Sequence, residues 1–230
     1  MPLAGGQGQA VRAGDLVLKP AGEEGPAAWL AGVLDALRQP DDVRIARPVR
    51  AGDDRWVVEG WSAWRWLEGE HRLGAVDDVL GVSACFHRAV AGVPRSPAMV
   101  AHHRWAVADR VAWGELDRPL PAEVATLAAR RRPVDLPPQL VHGDLGGNVL
   151  FHPSLPPAVI DVSPFWRPPG YADAIVVADA VAWHGAGDDL VERHLRAHGG
   201  QLLLRAVLFR ITAEPNDLGA YRPLVDLLTA

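Results

Sequence analysis

The first part of the chain alternates short extended runs with one helical stripe of apolar residues. Four stretches have the pattern of strands, at residues 10–12, 16–19, 43–49 and 56–59. Pro26 stands where a first helical turn accepts proline, because the N–H that proline lacks has no partner there. Behind it, apolar side chains recur along one helix face at Trp29, Leu30, Val33, Leu34 and Leu37. This part predicts a small sheet that carries one helix.

After Gly69 the pattern becomes mainly helical. Helices are predicted at residues 76–91, 123–130, 172–183, 190–198, 202–211 and 223–228. Three short apolar strands lie between them, at residues 140–141, 149–151 and 159–162. The change in character predicts two regions, residues 1–66 and 67–230, that meet within residues 62–69.

Composition and charge exclude several classes of function. The 230 residues carry 23 Lys and Arg against 28 Asp and Glu, a formal net charge of −5 without long basic runs, which argues against nucleic acid or an anionic membrane as partner. No stretch approaches the roughly 18 apolar residues of a membrane helix. The N-terminus has no secretory pattern, so a cytoplasmic protein is expected. The sequence has one cysteine, Cys85, so an internal disulfide is excluded. The oligomeric state does not follow from the sequence.

The segment at residues 141–151 carries the most informative chemistry. It places Asp144 and Asn148 in a glycine-rich loop between two apolar strands, and Asp161 ends the next strand. Phosphoryl transfer from ATP requires these residue types. One carboxylate positions the attacking hydroxyl, while an asparagine oxygen and a second carboxylate hold magnesium against the phosphates. Since a loop and two short strands connect the three residues, we expect them to lie close together.

At these residues the sequence resembles the aminoglycoside phosphotransferase and choline kinase-like family, whose members have the protein kinase-like fold. The shared features are a His-Gly-Asp loop that ends in asparagine and an Ile-Asp strand end. Residues 159–168 resemble an actinobacterial group within that family. The resemblance implies an α+β fold of two lobes: a small N-terminal sheet lobe for nucleotide binding at residues 1–66, and a larger, mainly helical lobe for catalysis and substrate at residues 67–230.

The same resemblance implies an ATP- and magnesium-dependent enzyme that phosphorylates a hydroxyl of a small molecule. Asp144 matches the catalytic base, and Asn148 and Asp161 match the metal ligands. His142 matches a position that braces the loop, and Asp173 matches an acidic residue that opens the following helix and ties the lobe together. The acceptor is expected to approach near Trp166, Arg167 and that helix.

Nucleotide-binding groups are expected near the N-terminus. Gly6 and Gly8 match the first two positions of a glycine-rich phosphate loop, whose third position holds Val11, and Lys19 matches the phosphate-binding lysine. No acidic residue near the predicted helix stands out as the partner of Lys19. Because so little chain precedes the glycines, the first strand of the lobe is expected to be missing, which would weaken nucleotide binding if the loss is real.

Other candidate residues favour structural roles. Four tryptophans, Trp56, Trp61, Trp64 and Trp66, crowd the predicted lobe junction, where residues 65–67 resemble the adenine-binding hinge, although tryptophans at this spacing usually pack in a core. The histidine pairs at residues 102–103 and at 194 and 198 lack further metal ligands in a recognisable motif. Cys85 is interpreted as a small buried apolar residue.

Two alternatives to the kinase remain open. A non-catalytic, kinase-like nucleotide-binding module is favoured by three features: the loop between Asp144 and Asn148, one residue shorter than is usual in the family, the missing third glycine, and the absent partner of Lys19. A metal-dependent hydrolase that uses Asp144, Asp161 and His142 would release phosphate without an acceptor.

Overall fold

A computed structural model describes residues 1, 3, 9–72 and 74–230 of the chain. Its architecture is a small antiparallel sheet in the N-terminal region, followed by a larger helical part, which confirms the predicted α+β class. Gly6 and Gly8 lie outside the described residues. No helix in the described ranges is long and apolar enough to cross a lipid bilayer.

The N-terminal region forms a twisted sheet with one helix beside it. Its elements are β1 (Val11–Ala13), β2 (Leu16–Pro20), α1 (Glu24–Ala36), β3 (Arg44–Ile45), β4 (Pro48–Val49), β5 (Val57–Val58) and β6 (Trp61–Arg65). β1, β2 and β6 pair antiparallel in that order, and both β4 and β5 pair with β6. Beyond β1, the backbones of Met1 and Leu3 hydrogen-bond to Arg12 and Ala10.

The helical part surrounds three short strand pairings. Its elements are α2 (Val76–Val90), α3 (Arg104–Ala112), α4 (Ala122–Ala129), β7 (Gln139–His142), β8 (Val149–Leu150), β9 (Ala158–Val159), β10 (Pro164–Arg167), α5 (Pro169–His184), α6 (Asp188–His198), α7 (Gly200–Ala213) and α8 (Leu218–Thr229). β7 pairs antiparallel with β10, and β8 pairs antiparallel with β9. These pairings hold the glycine-rich loop between β7 and β8.

The structure differs from the sequence prediction at four elements. β6, the strand with which β2, β4 and β5 pair, was not among the four predicted strands. The single extended stretch expected at residues 43–49 is two strands that belong to different sheets, because β3 leaves the N-terminal sheet and pairs in parallel with β9. α3 was not predicted, because its apolar stripe is interrupted by Asp109, a buried carboxylate that pairs with Arg167. β10 was also not predicted, because Pro164 and Pro168 bracket so short a run.

One apolar core, here called the shared core, contains residues of both regions. From the N-terminal region it takes Leu30, Ala31, Leu34, Val43, Ile45, Ala46 and Trp64. From the helical part it takes, among others, Phe86, Leu140, Leu145, Val149 and Val159. Leu145 is fully buried there. A side chain of the glycine-rich loop therefore anchors that loop against the N-terminal region.

A second contact between the regions lies where the chain leaves the N-terminal sheet. The backbones of Glu70 and Phe151 exchange two hydrogen bonds of 2.9 Å. Gly69 precedes this bridge with φ +145°, and a Cβ added there would lie 2.9 Å from the Cβ of Leu150. Glycine is the residue that permits this close passage of the two backbones.

Candidate active site

His142 ties together the two loops that carry the candidate catalytic residues. Its Nδ1 accepts hydrogen bonds from the backbone N–H of Asp144 at 3.1 Å and of Ser163 at 3.4 Å. With Nδ1 accepting, Nε2 carries the proton and donates to the carbonyl of Ile160 at 3.1 Å. The ring is fully buried, and burial lowers its pKa. A neutral imidazole in this tautomer fixes both loops, which is a bracing role.

A buried hydrogen-bond chain supports His142 from behind. The backbone N–H of His142 donates to Nε2 of His87 at 3.2 Å, whose Nδ1 lies 3.1 Å from Oγ of Ser83. Ser83 in turn donates to Asp173 at 2.5 Å. Burial lowers the pKa of His87 to about 3, so its ring is neutral. Burial raises the pKa of Asp173, against the hydrogen bond from Ser83. Asp173 at the start of α5 is thereby connected to the catalytic loop.

The middle residue of the His-Gly-Asp sequence has to be glycine for steric reasons. A Cβ added to Gly143 would lie 2.2 Å from ring atoms of Phe165, which lies on β10 and pairs with Val141. The backbone N–H of Gly143 also donates to the carbonyl of Ser163 at 2.8 Å. This close approach sets the path of the loop that presents Asp144.

Asp144 and Asn148 contact each other within the shortened loop. Nδ2 of Asn148 donates to the carbonyl of Asp144 at 2.6 Å and to its Oδ2 at 3.2 Å. Because the amide nitrogen is used in this way, the amide oxygen of Asn148 is left for another partner. The side chain of Asp144 is 45% exposed, so its carboxylate is open to solvent.

Asp161 lies beside Asn148 and opposite Lys19. The backbone N–H of Ile160 donates to the carbonyl of Asn148 at 3.0 Å, which holds the two candidate metal ligands on adjacent strands. Nζ of Lys19, on β2, donates to Oδ1 of Asp161 and lies 4.8 Å from the ring centre of Trp64. Burial raises the pKa of Asp161, but the charge and hydrogen bond of Lys19 lower it by more, so the pKa lies below its ordinary value.

The acidic partner of Lys19 is therefore Asp161, and not a residue on or near α1. Glu23, which precedes α1, accepts hydrogen bonds from His102 and from the backbone of His103 instead. Lys19 and Asp161 come from different regions of the chain, so their ion pair spans the cleft between the N-terminal sheet and the loops that carry the candidate catalytic residues.

The donor set of Asn148 and Asp161 suits magnesium. An amide oxygen and a carboxylate are the hard oxygen ligands that Mg²⁺ takes, together with waters and phosphate oxygens. The part of the chain that the structure describes, this site included, contains no group of three His, Cys, Asp or Glu side chains placed to hold a metal. His103 instead caps α3 through the backbone N–H of Ala106. His194 packs against His198 with ring centres 4.9 Å apart.

One charged group at the site was missed by the sequence analysis. Nη2 of Arg210, on α7, donates to Oδ1 of Asp144 at 2.7 Å. Nε of the same guanidinium donates to Asp179, on α5, at 2.9 Å, and Asp179 accepts a further hydrogen bond from Tyr221 at 2.8 Å. A signal for this group was present: α7 carries two charged residues, Arg205 and Arg210, among mainly apolar ones, and a charge on such a helix must find a partner where it is buried.

Arg167, expected near the acceptor, already has protein partners. Its guanidinium donates to Asp109 at 2.6 Å and to Glu115 at 2.6 Å, and its side chain is 12% exposed. It also stacks over Trp113, with 4.6 Å between the guanidinium carbon and the ring centre. This cluster, in which Asp109 is buried and Glu115 is half-exposed, joins β10 to α3 and to the turn after it.

Comparison with solved structures identifies the fold. The chain is similar to the aminoglycoside phosphotransferase APH(4)-Ia, with a TM-score of 0.60, 18% identity and coverage of 100% of this chain and 92% of that one. It is also similar to the spectinomycin phosphotransferase APH(9)-Ia in its complex with ADP and spectinomycin, with a TM-score of 0.54, 12% identity and coverage of 100% and 92%. An AMP-bound complex of that enzyme gives a TM-score of 0.51, with 12% identity and coverage of 93% and 82%.

No protein-family model matches the sequence, and no curated protein sequence matches it. The structural similarity extends over the whole chain and nearly the whole length of APH(4)-Ia. The chain therefore has the protein kinase-like fold of these phosphotransferases, with the small sheet region and the larger helical part that this fold contains.

Proposed function

We propose that this protein is an ATP- and magnesium-dependent phosphotransferase that acts on a hydroxyl group of a small molecule. The observation that carries the proposal is the convergence of Lys19, Asp144, Asn148 and Asp161 at one cleft. Asp144 and Asn148 lie in one loop of the helical part, Asp161 lies in another, and Lys19 lies on a strand of the sheet. The solved proteins with the same fold include phosphotransferases for aminoglycosides and spectinomycin.

The composition of the chain supports a phosphate-binding role for Lys19. Lys19 is the only lysine in the sequence, so arginine supplies every other long cationic side chain. A surface charge could equally be arginine, whereas a compact ammonium suits a phosphate oxygen in a narrow cleft. Gly6 and Gly8 are proposed to cover the phosphates, and residues 65–67 to contact adenine.

The positions of the side chains support a division of roles. Lys19 would bind phosphate oxygens, and Asp161, no longer paired with Lys19, would hold magnesium together with Asn148. Magnesium would supply positive charge that offsets the charge of the phosphates. Asp144 accepts a hydrogen bond from the acceptor hydroxyl, orients it for in-line attack and takes its proton. The sheet region, residues 1–66, is proposed to bind nucleotide, and residues 67–230 to bind the acceptor.

Turnover tests this proposal most directly. Magnesium-dependent ATP consumption is measured across hydroxylated compounds, from aminocyclitols to sugars and amino alcohols, with product phosphorylation read by mass spectrometry. Asp144→Asn is expected to lower kcat by about 10²- to 10⁴-fold, the usual contribution of a general base. Asp135→Asn, which changes an exposed carboxylate in the connector before β7, serves as the matched control. Turnover unchanged by Asp144→Asn would overturn the assignment.

A measurement of nucleotide binding helps to distinguish the enzyme from a non-catalytic nucleotide-binding module. The pairing of Lys19 with Asp161 is a further observation that favours the module. Because Lys19 is the only lysine, its acylation by an amine-reactive ester can be followed by mass spectrometry after the N-terminal amine is mapped separately. ATP with magnesium is expected to protect Lys19, and Lys19→Met to lower ATP affinity about tenfold or more. Protection without turnover on any acceptor favours the module, and phosphate release without an acceptor favours a hydrolase.

A cytoplasmic location and membership of the actinobacterial group stay predictions. Both rest on the sequence pattern alone.

A further inference from the structure

We propose that Arg210 is the positioning residue of the acceptor site, which fixes the Asp144 carboxylate through Oδ1 and takes its own orientation from Asp179 and Tyr221. This inference rests on the proposed function, since it assigns how the base Asp144 is held. No local motif contains Arg210, which is 66 residues from Asp144 in the chain.

The two oxygens of Asp144 are held by different elements. Oδ2 accepts from Asn148 at 3.2 Å, and Oδ1 accepts from Arg210 at 2.7 Å. Within the described chain, no other side chain hydrogen-bonds to Oδ1. A carboxylate bound at both oxygens has a fixed plane, whereas one bound at a single oxygen can rotate. Arg210 therefore decides which way the carboxylate faces the acceptor hydroxyl.

The loop that carries Asp144 needs this external support. Gly146 and Gly147 follow within the loop, and glycine leaves its backbone more conformational freedom than any other residue. Asp144 itself is 45% exposed, while Arg210 is 12% exposed. A partly exposed side chain on a glycine-rich loop is thus bonded to a buried, rigid cation. Supporting groups of this kind keep a catalytic side chain within about 0.5 Å of its working position.

Arg210, on α7, is in turn held by residues of two other helices, α5 and α8. Its Nε donates to Oδ1 of Asp179 at 2.9 Å, and its Nη2 also reaches Oδ2 of Asp179. Asp179 accepts a second hydrogen bond at Oδ1, from the Tyr221 hydroxyl, which in turn accepts from Nε1 of Trp183 at 3.2 Å. α5, α7 and α8 thereby fix the guanidinium from behind.

The charges explain why arginine occupies this position. Burial lowers the pKa of Arg210, but Asp179 and Asp144 raise it by more, so the guanidinium stays charged. Its planar fork can bond two carboxylates at once, which a lysine ammonium on a flexible stem does less well. Asp179 alone would satisfy a purely structural arginine. The additional bond to the exposed Asp144 is the feature that indicates a role at the acceptor.

Kinetics of a graded set of variants test the proposal. Arg210→Gln is expected to lower kcat by about 10²-fold, the effect of a displacement of roughly 1 Å at a reacting group, with KM for ATP unchanged. Arg210→Lys should recover part of that loss. Asp179→Asn should lower kcat less, and in the Arg210→Gln background it should add almost nothing, because both substitutions act through one contact.

Two controls separate positioning from damage to the fold. Removal of Arg210 leaves buried Asp179 unpaired, so the double variant Arg210→Gln with Asp179→Asn keeps the charges balanced. Arg222→Gln breaks an arginine–glutamate pair between α8 and α4 far from Asp144 in the contact network. It should leave kcat unchanged. Equal losses in kcat for Arg222→Gln and Arg210→Gln would overturn the proposal.

Crystal structures of the wild type and of the charge-balanced double variant give a readout that needs no turnover. The Asp144 carboxylate is expected in one orientation in the wild type and in several, or in a rotated one, in the variant. An unchanged carboxylate in the variant overturns the positioning role even if the protein is an active kinase. A wild type without phosphotransferase activity overturns the proposed function, while the crystal structures still decide the role of Arg210.

Discussion

Three buried histidines, His87, His142 and His194, make the stability of this protein sensitive to acid. For two of them the pKa is far below the ordinary value: burial lowers the pKa of His87 to about 3, and burial together with His198 lowers that of His194 to about 4. The unfolded chain takes up these protons near pH 6.5, whereas the folded protein does so only below these lower values. The free energy of unfolding therefore decreases as the pH falls from about 6.5 to these lower pKa values.

His194 is the residue at which this effect can be measured with least disturbance. Its Nε2 is buried and has no hydrogen-bond partner in the described part of the chain. The variant His194→Phe keeps a ring but cannot take up a proton. Between pH 7 and pH 5 the wild type is expected to lose about 2 kcal/mol through this residue, from about 1.4 kcal/mol per pH unit below 6.5.

Urea unfolding at the two pH values measures the loss. In His194→Phe, the difference between the unfolding free energies at pH 7 and pH 5 should be smaller by about that 2 kcal/mol. His71→Gln changes an exposed histidine and serves as the control. If the unfolding free energy of His194→Phe depends on pH as that of the wild type does, the inference that His194 is neutral in the folded protein is wrong.

At the scale of elements, the antiparallel pairing of β7 and β10 determines the shape of the glycine-rich loop that carries Asp144. Gly143 and Phe165 lie so close that a Cβ at position 143 would be 2.2 Å from the ring. Phe165 itself is buried and packs edge-to-face against Phe209 on α7, with ring centres 5.5 Å apart. The ring therefore has little room to move away.

The variant Gly143→Ala is expected to destabilise the protein by about 1–3 kcal/mol, the usual cost of forcing an extra methyl into a packed site. It should also lower kcat, because the displaced loop carries Asp144. Gly81→Ala is the matched control: a Cβ at position 81 meets nothing within 4 Å, and in the middle of α2 alanine is expected to stabilise by about 0.5–1 kcal/mol. Urea unfolding of both variants compares them directly, and equal stability of Gly143→Ala and wild type would contradict the steric account.

The same elements show which parts of the site a sequence can reveal. His142, Asp144, Asn148 and Asp161 belong to consecutive strands and turns, so local spacing was enough to place them together. Arg210 meets Asp144 across 66 residues, and Arg167 meets Asp109 across 58. No helical or strand period relates residues so far apart.

The predictions of the fold likewise succeeded where the pattern is local and failed where the structure depends on distant residues. α1 and α2 have regular apolar stripes and were predicted, whereas α3 was not, because its buried face contains the charged residue Asp109. The stretch at residues 43–49 looked like one strand because its pattern is continuous. The pairing of β3 with β9 depends on where the distant β9 lies, which the local sequence does not specify.

At the scale of the whole molecule, the two regions stabilise one another. Leu30, Leu34 and Ile45 of the N-terminal region pack in the shared core with Phe86 and Leu145 of the helical part. β3 and β9 form a parallel pair across the same boundary. The regions proposed to bind nucleotide and acceptor are therefore expected to unfold together, and the intact chain to show one cooperative transition.

Residues 67–230 expressed alone test this coupling. Removal of residues 1–66 exposes apolar side chains such as Phe86, Leu140 and Leu145, each of which contributes about 1.5–3 kcal/mol when buried. The sum of these losses is comparable with the free energy of unfolding of a typical domain, about 5–15 kcal/mol. The fragment is expected to keep helical circular dichroism but to bind a hydrophobic dye and to lack a cooperative urea transition. A fragment that unfolds cooperatively, with no dye binding, would show that the helical part folds independently of the shared core.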